Sequence, residues 1–117
     1  MISSIYSSIS ALFGFQTKVA STANNVANID TDGYKKTRVT LHEGQTQGVS
    51  VNIQQVDEPG PMVYEQTNEG QVLVEKSNVD LTEELPNLML AKRFYQANLK
   101  VLKTEDEMLG SLLDIKS

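Results

Sequence analysis

The chain has 117 residues, 39% of them hydrophobic and 6% aromatic, with no tryptophan and a net charge of -5. An apolar content below the usual range of about 45–50%, in a chain short enough to bury a modest share of its surface, means that the core is spread along helices or completed by a partner. The acidic balance with scattered Lys and Arg excludes nucleic acid as a partner, the absence of cysteine excludes disulfides, thiol catalysis and Cys-based zinc sites, and no stretch reaches the ~18 apolar residues of a membrane span.

The first predicted element is a helix over 2–28. Ile2, Ile5, Ile9, Leu12, Gln16, Val19, Ala23 and Val26 recur in steps of three and four, a heptad seam with one polar break at Gln16. Ser3, Ser4, Ser7, Ser8, Ser10 and Ser21 lower its intrinsic propensity, and Gly14 weakens it by roughly 1 kcal/mol more. Such a helix forms against a partner and frays without one. Met1-Ile2-Ser3-Ser4-Ile5 lacks the charged start and solid apolar run of a cleaved secretory signal, so none is expected.

Asn28-Ile29-Asp30-Thr31-Asp32-Gly33 is dense in turn formers and ends the helix, with Gly33 offering a positive-φ position. Lys35, Lys36 and Arg38 then read as a solvated turn or the start of a strand. Between 34 and 76 the three-four period is lost. Val39 and Leu41, then Val49, Val51 and Ile53, then Val72 and Val74 alternate with polar neighbours, as half-buried strands do. Turns are expected at Asp57-Glu58-Pro59-Gly60-Pro61 and Asn68-Glu69-Gly70. The expectation is a small β element of two to four strands, or an extended arm, too poor in large apolar residues to stand as a robust separate domain.

A second helix is predicted over 80–115. Leu81, Leu85, Leu88, Lys92, Tyr95, Leu99, Leu102, Asp106, Leu109 and Leu113 again step by four and three. Ser77 and Asp80 are candidate caps, and Asp80 with Glu83 has the form of a capping box. Glu83 and Glu84 suit the positive end of the helix dipole. Pro86 either opens the regular helix or bends it. The predicted fold is therefore mainly α: two long terminal helices forming a coiled-coil-like hairpin, with a small β or extended insert between them. The corresponding units are 1–33, a helix with an Asn-rich turn, 34–76, the insert, and 77–117, the second helix.

Nothing in the sequence assembles a catalytic centre, and no cofactor is expected. His42 is the lone histidine and lies in Leu41-His42-Glu43-Gly44 without partners for a triad or a metal site. Asn28-x-Asp30-x-Asp32-Gly33 has the alternating oxygens of a calcium loop, but the twelfth position, which must supply a bidentate carboxylate, is Val39. It reads as a turn. Glu83-Glu84 and Glu105-Asp106-Glu107 read as solvated helix faces, since acid–base work needs a carboxyl in an apolar pocket.

Two stretches resemble the terminal signatures of the bacterial flagellar rod, hook and hook-junction proteins. The first is Ala20-Ser21-Thr22-Ala23-Asn24-Asn25-Val26-Ala27-Asn28-Ile29-Asp30-Thr31-Asp32-Gly33-Tyr34-Lys35. The second is Ser77-Asn78-Val79-Asp80-Leu81-Thr82-Glu83-Glu84, followed by Arg93, Tyr95-Gln96-Ala97-Asn98, Lys103 and Leu109. The short insert is most like that of the small proximal rod proteins of the C type. Pro86 departs from the family, which usually has a helix-compatible residue there.

The resemblance implies a structural, non-enzymatic subunit whose terminal helices pack into a hollow axial tube, the basal-body rod. It implies partnership with other rod subunits and with further copies of itself, and export through the flagellar type III apparatus without a cleaved signal. The assembly residues it implies are Ile5, Ile9, Leu12, Val19 and Val26 on the first helix, and Asn24, Asn25, Asn28, Gly33 and Tyr34 at its end. On the second helix they are Leu88, Tyr95, Leu99, Leu102 and Leu109, flanked by Gln96 and Asn98. The asparagines can satisfy carbonyls at the helix end, and Tyr34 can plug a neighbouring apolar groove. A rival reading is a soluble coiled-coil regulator or flagellar export chaperone.

Overall fold

The computed structural model describes residues 2–45 and 48–116, without the side chains of Ile2 and Lys116, so the seam position Ile2 lies outside the described side chains. In chain order it contains α1 (Ile2–Ala27), β1 (Thr37–Glu43), β2 (Val49–Gln55), β3 (Met62–Thr67), β4 (Gly70–Glu75) and α2 (Leu81–Lys116). The fold is mainly α. The two terminal helices pack antiparallel, with Asn25 against Glu84 at one end and Phe15 stacked on Phe94, ring centroids 5.3 Å apart, further along.

The shared seam is rotated from the predicted one. On α2 the buried and half-buried positions include Glu84, Leu88, Ala91, Tyr95, Asn98, Leu102, Glu105 and Leu109; on α1 they include Ile5, Ser8, Ala11, Leu12, Phe15, Val19, Thr22 and Val26. Ile5, Leu12, Val19, Val26, Leu88, Tyr95, Leu102 and Leu109 thus face inward. The alternate set, Ile9, Gln16 and Ala23 with Leu85, Lys92, Leu99, Asp106 and Leu113, faces solvent. The cause is a second neighbour. The β1–β2 hairpin also packs on α1, so the small residues of α1 turn inward to let both neighbours approach.

Gly14 shows the fit. It is buried, and a Cβ there would stand 3.1 Å from Leu41 and 3.2 Å from Val49. In the sequence Gly14 reads as a weak point of the helix; in the fold it is where the hairpin closes on it. β1 pairs with β2 from Thr37↔Gln55 to Glu43↔Val49, and the Val49 N–H donates to Ser10 Oγ at 2.9 Å.

β3 and β4 form a second hairpin, from Met62↔Glu75 to Thr67↔Gly70, that packs on no other helix or strand. Among the described residues it is held only near its base. The Gly33 N–H donates to the Glu75 carbonyl (2.9 Å) and the Lys76 N–H to the Pro61 carbonyl (2.8 Å). Lys35 pairs with Glu75, and Lys76 with Glu65 and Asp32. Gly60 is buried against the Lys76 carbonyl with no room for a Cβ.

α2 starts at Leu81, ahead of Pro86, and continues through it. Asp80 is the cap: its Oδ1 accepts from the Thr82 N–H at 3.0 Å and from the Thr82 hydroxyl at 2.8 Å. Glu83 does not reach back to complete a capping box. It pairs instead with Lys36 (2.9 Å) and Arg38 (3.8 Å), so these cations tie the start of β1 to α2.

The molecule is long and thin, 80 × 24 × 19 Å. Its radius of gyration is 20.8 Å, against about 13 Å for a compact chain of this length. Its accessible surface is 8419 Å², where a compact monomer of this mass would have about 6,300 Å². The buried hydrophobic side chains among the described residues are Ala11, Val39, Val79 and Ala91, too little apolar volume to make a self-sufficient core.

Candidate assembly interface

The most fully buried polar side chain among the described residues sits where helix, turn and strand converge. Asn25, near the end of α1, is 1% exposed. Its Nδ2 donates to the Thr37 carbonyl (2.8 Å) and to Glu84 Oε2 (3.3 Å). Its Oδ1 accepts from the Thr37 N–H (3.0 Å), the Thr37 hydroxyl (3.3 Å) and the Tyr34 hydroxyl (3.1 Å). One amide thus pairs with both backbone groups of the first residue of β1 while touching α2. A buried network satisfied on every side fixes a single geometry. Asn78 makes a second junction: its Oδ1 accepts from the Lys36 N–H (2.7 Å), and its Nδ2 donates to the Val56 and Glu58 carbonyls (both 2.9 Å).

The remaining turn residues do local work. Asn28 Nδ2 donates to the Asn24 carbonyl (2.9 Å), and Asn28 Oδ1 accepts from the Thr31 hydroxyl (3.0 Å), which closes the C-terminus of α1. Asn24 itself is exposed. Gly33 has φ +70°, the left-handed conformation that the turn requires. The Tyr34 hydroxyl turns inward within the chain and donates to Asn25 Oδ1. On α2, Asn98 Nδ2 folds back onto the Phe94 carbonyl (2.8 Å), and Gln96 is exposed.

Two carboxylates depart from the expected solvated faces. Glu84 is 5% exposed and borders a polar cavity with Lys18, Lys36, Thr37 and Arg38. Glu105 lies half-buried on the helix seam, its Oε2 without a hydrogen-bond partner among the described residues. Thr37 is not singled out in sequence, and Gly14, Asn78 and Glu84 read there as a weak point of the helix, part of a motif and a solvated face, not as junction residues. The available signal was Gly14, since a glycine inside a strong helical pattern marks close approach.

Outside these junctions lies a large unpacked apolar surface. Ile9 is 38% exposed, Phe13 64%, Leu99 48% and Leu113 67%. Grooves follow the helix pair on this side. One is lined by Gln16, Val19, Leu88, Lys92 and Tyr95, and another includes Ile5, Gln96, Leu99, Leu102 and Asp106. The projecting hairpin adds Met62, Val63, Tyr64, Val72 and Leu73. Contiguous apolar surface of this kind marks an interaction site. Among the described residues there is no group of three or more His, Cys, Asp or Glu able to hold a metal, and no helix long and apolar enough to cross a membrane.

Residues 5–35 match the family described as flagella basal body rod protein, and residues 71–115 match the flagellar basal body rod FlgEFG protein C-terminal family. The flagellar basal-body rod protein FlgC of Buchnera aphidicola subsp. Acyrthosiphon pisum is 31% identical over 126 residues, which cover 91% of this chain and 90% of that protein. The chain belongs to the flagellar basal-body rod protein family. This is a family of structural rod proteins, not of enzymes. Other rod and hook relatives match over shorter segments. The flagellar hook protein FlgE of Escherichia coli (strain K12) is 44% identical over 43 residues, 37% of this chain and 11% of that protein. The flagellar basal-body rod protein FlgG of Bacillus subtilis (strain 168) is 44% identical over 50 residues, 43% of this chain and 19% of that protein. The chain thus spans a small part of the longer hook and rod proteins, and most of the small one.

Proposed function

We propose that this chain is a structural subunit of the flagellar basal-body rod, built into the axial structure by burial of its terminal helices against those of neighbouring rod subunits. The observation that carries this is the exposed apolar stripe along the helix pair, from Ile9 and Phe13 on α1 to Leu85, Leu99 and Leu113 on α2. At ~25 cal/mol per Å² of apolar area removed from water, a seam of this kind contributes several kcal/mol before ordering costs. The asparagine junctions set the angle of the β module on the helices, and so the shape offered to a neighbour. Export through the flagellar type III apparatus, without a cleaved signal, belongs to the same reading. So does a place among the small proximal subunits, with units 1–33, 34–76 and 77–117 as helix, insert and helix.

The test is electron microscopy of isolated basal bodies from cells lacking the gene, with a swimming assay. Missing rods and lost motility are expected; intact rods and normal swimming would point to a regulator or export chaperone. Complementation with Leu99→Asp separates surface from fold. Leu99 is exposed, outside the helix seam, so this variant should fold, be exported and fail to enter the rod. Leu102→Asp strikes the half-buried seam between α1 and α2 and should unfold the chain itself.

A further inference from the structure

One dipeptide in the turn after α1 carries a reaction of its own. Asp32 is followed by Gly33, and no other aspartate or asparagine in the chain is followed by glycine or serine. An aspartyl side chain before glycine is the least hindered setting for ring closure onto the backbone, because glycine has no Cβ to block the approach. The Gly33 nitrogen attacks Asp32 Cγ. A C–N bond forms, a C–O bond breaks, and the hydroxyl of the protonated carboxyl leaves with the amide proton as water. The product is a succinimide ring. Water then adds to either ring carbonyl and gives back the ordinary linkage or an isoaspartyl one, in which the main chain runs through Cβ. One water is lost and one returned, and no other reactant is needed.

The fold both requires this pair and restrains it. Asp32 and Gly33 are the central residues of a turn in which the Tyr34 N–H donates to the Thr31 carbonyl at 3.2 Å. Gly33 has φ +70°, and nothing lies within 4 Å of where its Cβ would be, so the conformation rather than the space asks for glycine. Both reacting groups are then occupied at the base of the β3–β4 hairpin. The Gly33 N–H donates to the Glu75 carbonyl at 2.9 Å, and Asp32 Oδ1 accepts from Lys76 Nζ at 2.9 Å. Two consecutive residues thus hold the nucleophile and the electrophile. For the ring to close, the nitrogen must turn out of line with Glu75 and the carboxyl must leave Lys76.

We propose that Asp32–Gly33 is a spontaneous isoaspartate site that reacts while the chain is unfolded and is latched by folding, through Glu75 on its nitrogen and Lys76 on its carboxylate. Lys76 stands 44 positions along the chain from Asp32, so no short segment around the turn reproduces the latch. The isoaspartyl product adds one carbon to the backbone inside the turn. That displaces Gly33 from Glu75 and Tyr34 from Asn25, so a modified chain cannot close the junction of α1, β1 and the hairpin. The linkage therefore records time spent unfolded and withdraws old chains from those able to fold. The inference concerns the chemistry of the chain itself and stands independently of the rod reading.

The test incubates the full chain at neutral pH, folded in buffer and unfolded in guanidinium chloride. Isoaspartyl carboxyls are then counted, after dialysis, by enzymatic methyl transfer from labelled S-adenosylmethionine. Label is expected in the tryptic peptide 19–35. It should accumulate about tenfold or more faster in the unfolded chain, the factor that one retained hydrogen bond supplies. Asp32→Glu, which would have to close a larger ring, should abolish it. Lys76→Met removes exposed ion pairs, which add little to stability. It should keep the wild-type circular dichroism while its folded rate rises severalfold, and Lys76→Arg, which keeps the pair, should stay at the wild-type rate. Equal rates in folded and unfolded wild type, label outside 19–35, or a folded rate unmoved by Lys76→Met would each overturn the inference.

Discussion

At the scale of single residues, Asn25 holds the fold together through contacts that no apolar residue could replace. Asn25→Ala would leave the Thr37 N–H and carbonyl without their side-chain partner and remove a hydrogen-bond donor to the buried Glu84 carboxylate. Orphaned buried groups each cost about 1–3 kcal/mol, so a loss of roughly 2–4 kcal/mol is expected in urea unfolding. A change under 1 kcal/mol would show that the junction is not closed in solution. Acid should act at two other residues. The Thr82 hydroxyl and N–H hold Asp80 below its ordinary value, and Lys35 with the Gly60 N–H does the same for Glu75. A carboxyl whose folded value is depressed lends its stability in full above the unfolded value, near pH 4, and loses it as pH falls through the folded one. Thermal midpoints should therefore hold level from pH 7 to about 5 and drop below about 4. A drop beginning at pH 6 would place the cause elsewhere.

Among the elements, Pro86 is the feature most at odds with its setting. It lies inside α2, where it cannot donate to the carbonyl one turn back, that of Thr82. Pro86→Ala restores that bond and should raise stability by about 1–3 kcal/mol in denaturant unfolding. No gain would mean that the first turn is already arranged around the proline. The two helices were legible in sequence because their periods are long and regular. Their rotation was not, because each helix carries apolar residues on two adjacent flanks. Ile5 and Ile9, like Leu102 and Leu99, satisfy the three-four rule equally well. What selects between them is the β1–β2 hairpin's claim on α1 at Gly14, a contact between residues far apart in sequence. β1, β2 and β4 were legible as alternation, but β3 (Met62–Thr67) was not singled out, and neither was the pairing into two separate hairpins. The asparagine cluster stood out at the helix end. The role of Asn25 depends on Thr37 and Glu84, which no local pattern connects to it.

On the scale of the whole molecule, the projecting β3–β4 hairpin and the helix pair are energetically separate, because the hairpin touches no other element. Replacing 64–73 by an Asn-Gly turn would keep the base pairs Met62↔Glu75 and Val63↔Val74 and supply the two-residue turn such hairpins favour. The unfolding free energy of the shortened chain should stay within about 1 kcal/mol of wild type by urea titration. A larger loss would reveal support running from the hairpin into the helices. The antiparallel return of the chain has a consequence for the order in which it folds. Asn25 and Glu84 stand 59 positions apart, and closing a flexible loop of that length costs roughly 4 kcal/mol of chain entropy. The two hairpins pair strands that are neighbours in sequence, so they can close first and shorten that loop. A chain delivered with its N-terminus first can close the β1–β2 hairpin on α1 early, but it must hold the other side of α1 waiting, because α2 follows all four strands.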